Sequence, residues 1–136
     1  ICEVPGWGRM LPLERVLGYL DFRLMLIEGA PQEFSCVAGT MVQEAFLSSE
    51  AIRAACEASI SGNAAKLEDD IAAALDRYGV AGIDPAGLAL HVQAVLQGGF
   101  VLAKARGDAA PARDSVRHLK RYFELLFRAP ATEACQ

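Results

Sequence analysis

An all-α fold is predicted for this chain by three observations. Apolar residues recur at spacings of three and four through almost the whole length, the signature of helices with one buried face. No stretch alternates apolar and polar residues, and no β-branched cluster bounded by turn residues reads as a strand. Glycine and proline fall between the periodic segments, where helices stop and start. With 136 residues, 53% of them apolar and 22% charged, the chain suits one domain with a real core and is too rich in burial material for disorder. The expectation is a bundle of about five main helices spanning residues 12–128, preceded by a frayed or linker segment (1–11) and followed by a disordered tail (129–136).

Pro12 suits a first helical turn, and Leu13, Val16, Leu17, Leu20, Leu24 and Ile27 follow on one face until Gly29 and Pro31 stop the helix. Tyr19, Phe22, Met25 and Leu26 widen that face, so this helix needs neighbours on more than one side. A second segment, about Ser35 to Phe46, carries Val37, Met41 and Val42 among Cys36, Ala38, Gly39 and Thr40, whose small size lets another helix come close.

Ser48 or Ser49 is the natural N-cap of a long third helix, with Glu50 complementing its macrodipole. Ile52, Cys56, Ile60, Leu67, Ile71, Leu75 and Tyr78 keep one face as far as Gly79, giving about 45 Å of helix. Gly62 and Asn63 lower propensity midway and mark a candidate bend. Asp84 followed by Pro85 opens the fourth helix as N-cap and N1, and the helix runs to Arg106 through Leu88, Val92, Val95, Leu96, Phe100, Val101 and Ala103. Its interior pair Gly98 and Gly99 costs about 1 kcal/mol per residue relative to alanine. Either close packing in the core or a second chain's helix must compensate. After the breakers Gly107, Asp108 and Pro111, a last helix from about Pro111 to Phe127 repeats Val116, Leu119, Phe123 and Leu126, a coiled-coil-like seam. Arg113, Arg117, Lys120, Arg121 and Arg128 read as its solvated surface.

Composition and motifs exclude several functions. Thirteen Lys and Arg against 17 Asp and Glu give a net charge of −4, a poor surface for gripping phosphate backbones. Cys2, Cys36, Cys56 and Cys135 lie far apart with no C-x-x-C pair, so they read as plain thiols of a reducing cytoplasm. No secretory signal opens the chain, and the apolar runs read as interrupted by charge short of the ~20 residues that span a bilayer. His91 and His118 lie on different helices without a third ligand, which argues against a metal. Glu68, Asp69 and Asp70 are consecutive, point in different directions and read as a solvated face. With no nucleophile motif and no phosphate loop, an enzyme is not expected, and neither is a cofactor. A thiol enzyme around Cys36 would need a base that no neighbouring residue supplies.

The segments Phe34 to Glu44 (FSCVAGTMVQE), Arg77 to Val80 (RYGV), Ile83 to Pro85 (IDP), Val95 to Arg106 (VLQGGFVLAKAR) and Arg113 to Phe127, in that order, resemble the C-terminal domain of TetR/AcrR-family transcriptional repressors. The resemblance covers about Pro12 to Phe127. It implies an effector-binding and dimerisation domain whose last two helices form a four-helix bundle with those of a second subunit. It also implies a DNA-reading helix-turn-helix that this chain lacks; the start at Ile1, with no initiator Met, reads as the remainder of a longer protein.

Under that resemblance, a homodimer is expected to use Leu88, Val95, Gly98, Gly99, Leu102, Leu119, Tyr122, Phe123 and Leu126. A small apolar or aromatic effector is expected between the first four helices, among Phe22, Met25, Leu26, Phe34, Val37, Thr40, Met41, Glu44, Ile60, Asn63, Leu67, His91, Val92 and Leu96. There, apolar walls supply affinity and the few polar groups supply orientation. The competing reading is a free-standing dimerisation or scaffold module with a filled interior.

Overall fold

The computed structural model describes residues 11–128, which form α1 (Pro12–Leu26), α2 (Pro31–Phe34), α3 (Val37–Ala45), α4 (Glu50–Tyr78), α5 (Pro85–Arg106) and α6 (Ala110–Leu126), with no strand among them. Five main helices and one extra turn make an all-α bundle. The expected tail at 129–136 lies outside the described residues, as does all of the expected leading segment except Leu11.

Local chemistry sets the helix ends. At the start of α1 the Leu11 N–H donates to the Glu14 carboxylate at 3.0 Å, satisfying one donor that the helix leaves open. Ser49 caps α4 by accepting from the Ile52 N–H at 3.2 Å, and Asp84 caps α5 by accepting from the Gly87 N–H at 3.2 Å. Gly79 and Gly107 close α4 and α5 at φ +64° and +71°, a left-handed turn that costs glycine nothing. Pro31 departs from expectation. It ends nothing but opens the single turn α2 as its first residue, because fixed φ and a missing N–H suit a helix start as well as they block a continuation. Gly62 and Asn63 do not interrupt α4, which is continuous over 29 residues.

α5 is the central helix, packed most extensively against α4 on one side and α6 on the other. Val92, Leu96, Phe100 and Ala103 of α5 meet Leu67, Ile71 and Ala74 of α4, Val116, Leu119 and Phe123 of α6, and Val16 and Leu20 of α1 in one core. The sequence reading missed that α5 is long and apolar enough to cross a bilayer by length and composition, since no Lys, Arg, Asp or Glu occurs between Pro85 and Ala103. Its burial between two partner helices accounts for that apolarity.

Three polar ties correct the expected solvated faces. Asp70 is buried and pairs with Arg15 of α1, with Nη2 to Oδ1 at 2.6 Å and Nε to Oδ1 at 2.7 Å. Arg113 donates to the Ile27 carbonyl at 2.8 Å and Lys120 to Asp21 at 2.8 Å, so both hold α6 against α1.

Candidate ligand-binding and dimerisation surfaces

The expected interface residues divide into two sets. Leu88, Leu119 and Phe123 are buried in the protomer's own core. Gly99 is buried too, and a Cβ there would lie 3.0 Å from the Ala112 Cα. Its missing side chain therefore serves the close approach of α5 to α6 within one chain. These four cannot be offered to a second copy without opening the core.

The other set is outward. At Gly98 a Cβ would meet nothing within 4 Å, while Leu102 is 57% and Tyr122 43% exposed. Val95 and Leu126 are half-buried. On α5, His91, Val95, Gly98 and Leu102 follow at spacings of four, three and four, one stripe of the helix. On α6, Pro111, Ser115, His118, Tyr122 and Leu125 make the matching stripe.

Between them run two grooves of about 330 Å³ each. One is lined by His91, Val95, Ser115, His118, Leu119 and Tyr122, the other by Leu102, Ala105, Arg106 and Pro111. The His91 and Tyr122 rings meet edge to face at 6.3 Å. The result is an apolar surface carrying both histidines of the chain.

The expected effector residues are less gathered. Leu67, Val92 and Leu96 are buried in the core, and Phe34 is half-buried with its ring 5.8 Å from that of Phe100. Phe22, Thr40, Ile60 and Asn63 are also half-buried. Met25, Leu26, Val37, Met41 and Glu44 are exposed, Val37 to 72%. Phe34 and Leu26 share a pocket of about 260 Å³ with Arg23, Ile27, Glu33 and Ser35 at the α1–α2 junction.

His91 was expected between the first four helices and instead faces the α5–α6 groove. It sits one residue before buried Val92, and one residue turns the side chain by about 100° around the helix. Thr40 bridges elements: its hydroxyl donates to the Cys36 carbonyl at 3.1 Å and accepts from Lys104 of α5 at 2.8 Å.

Sequence reasoning missed Gln93, which is 5% exposed in the interior of α5. Periodicity gives no signal for its burial, because the same stripe of α5 also carries Gln97 and Lys104. Cys36 caps α3, its Sγ accepting from the Gly39 N–H at 3.4 Å, and Cys56 is buried. Cys2 and Cys135 lie outside the described residues.

A family model described as the C-terminal domain of LmrA/YxaF-like transcriptional regulators matches residues 12–118, from the first residue of α1 to the middle of α6. No curated protein and no solved structure gives a significant match to the chain. The helix order, the tight α5–α6 pair and a family match over most of the length agree: this chain belongs to the TetR-family regulators, as a C-terminal domain of the LmrA/YxaF-like type.

Proposed function

We propose that this domain senses a small apolar or aromatic effector and pairs with a second copy of itself, so that effector binding alters the DNA affinity of a TetR-like repressor. The observation that carries the reading is the outward α5–α6 surface. Gly98, Leu102 and Tyr122 are exposed along the α5–α6 face, with Val95 and Leu126 half-buried. A two-fold axis through such a surface sets it against itself, burying apolar area on both copies at once. Gly98 then lets two α5 helices cross closely, which offsets its helix-propensity cost.

Effector binding acts by preference for one arrangement of the pair over another, shifting an existing equilibrium by its differential affinity. The net charge of −4 supports assigning DNA contact to another part of the parent repressor. A scaffold module without a cavity is the second reading, favoured by the tight burial of Leu67, Val92 and Leu96.

Two experiments test these readings, the first the pairing that both share and the second the effector that separates them. Light scattering on Gly98→Leu is expected to show the wild-type dimer converted to monomer; because the protomer has space at Gly98, the change reports on the interface. An unchanged dimer mass rejects the crossing. A thermal-shift panel of small apolar and aromatic compounds is expected to yield stabilising hits, and uniform absence of shifts favours the scaffold.

A further inference from the structure

Both histidines of the chain stand in one groove. His91 of α5 and His118 of α6 are exposed in the protomer and line it with Val95, Ser115, Leu119 and Tyr122. The His91 ring meets Tyr122 edge to face, and neither imidazole forms a hydrogen bond or ion pair with a described residue.

No aspartate, glutamate, lysine or arginine lines this groove. α5 carries none between Pro85 and Ala103; Asp84 at its start caps the Gly87 N–H, and Lys104 and Arg106 stand at its far end. On α6, Asp114 is already paired with Arg117 at 2.9 Å, Lys120 is tied to Asp21 and Arg113 to the Ile27 carbonyl. Arg121 and Glu124 lie on either side of Tyr122 along the chain, outside the groove. α1 and α4, the other helices packed on this pair, contribute no residue to it.

The groove belongs to the face that is proposed to meet a second copy. His91 lies one turn from Val95 and two from Gly98 on α5, and His118 one turn from Tyr122 on α6. Pairing therefore withdraws four imidazoles from water, two per copy, and two-fold symmetry brings no kind of group that one copy lacks. A neutral imidazole can enter such a surface. A protonated one enters it without a carboxylate in the groove and with like charge on the other copy.

We infer that His91 and His118 make the pairing of this domain proton-sensitive, so that acidification drives the two copies apart. This rests on the reading of the α5–α6 face as the dimer surface. An imidazole held neutral in the pair takes up a proton when the copies separate. The pair is then at full strength where imidazole is neutral and weakens as pH falls through the range in which free imidazole charges.

Sedimentation equilibrium of the full chain between about pH 7.5 and about pH 5.5 tests this, with helical circular dichroism recorded alongside. Carboxylates stay ionised over that range, so histidine is the side chain that changes charge. The wild-type dissociation constant is expected to rise at least about tenfold toward the acid end. The double variant His91→Gln with His118→Gln is expected to hold one constant throughout.

A wild-type constant that does not change with pH overturns the proton switch and leaves the pairing intact. A rise that persists in the double variant overturns it as well, since other groups then carry it. Loss of the helical signal alongside dissociation overturns it by placing the acid sensitivity in the fold. A wild type that is monomeric at every pH removes the pairing reading, and the switch with it.

Discussion

Gly98 and Gly99 are neighbours in sequence with opposite surroundings. At Gly99 an added Cβ meets the α6 backbone at 3.0 Å, while at Gly98 it meets nothing within 4 Å. Gly99→Ala is therefore expected to destabilise the protein by about 1–2 kcal/mol through forced separation of α5 and α6. Gly98→Ala is expected to stabilise the isolated protomer by about 0.5–1 kcal/mol through helix propensity. Urea unfolding in the Leu102→Glu background, which the pairing account predicts to be monomeric, checks both; similar effects at the two sites would contradict this placement.

The buried pair Arg15 and Asp70 obeys a different rule. Asp70→Ala removes a charge-assisted tie to Arg15 and is expected to cost about 1.5–3 kcal/mol, whereas Arg15→Met with Asp70→Leu together recovers most of that loss. Equal losses in the single and double variants would show that the pair itself, rather than its desolvation, carries the stability. Neither Asp70 nor Gln93 was legible as a buried polar residue in the sequence, because what faces each is supplied by helices distant along the chain.

Helix identity was legible wherever the signal is local. Ser49, Asp84, Gly79 and Gly107 do at the helix ends what their types predict, since a cap needs only the next three residues. Pro31 was ambiguous because proline breaks and starts helices by the same geometry. The basic face of α6 was misread in part: Arg113 and Lys120 are ties to α1, and charge alone does not say whether a helix lies opposite.

That tie sets a pH dependence. The hydrogen bond to Asp21 holds the Lys120 ammonium above its ordinary value of 10.5, so its contribution is complete below that pH and fades as pH rises through the raised value. The side chains are 34% and 54% exposed, which limits the contribution to about 0.2–1 kcal/mol. Lys120→Met is expected to be less stable than wild type by that amount at pH 8, with the gap closing as pH rises through the raised value. A gap that stays constant across this range would assign the loss to packing of the lysine stem.

At the scale of the whole molecule, one surface explains what the protomer leaves unfinished. α5 is apolar nearly all round because α4 and α6 cover much of it within the chain and a second copy is proposed to cover Gly98 and Leu102. The seam Val116, Leu119 and Phe123, readable as a coiled-coil stripe, is consumed inside the protomer. The stripe left for association is the adjacent one through Tyr122 and Leu125. Periodicity reveals that a helix has an apolar face without saying which helix covers it, so the sequence displayed the fold more fully than the interface.

Sedimentation equilibrium on the wild type and on Leu102→Glu tests the pairing most directly, because Leu102 is 57% exposed in the protomer and its replacement leaves the core untouched. The account predicts twice the 14.5 kDa chain mass for the wild type and a single chain mass for Leu102→Glu with its helical circular dichroism retained. A monomeric wild type, or a dimer that persists in Leu102→Glu, would contradict it.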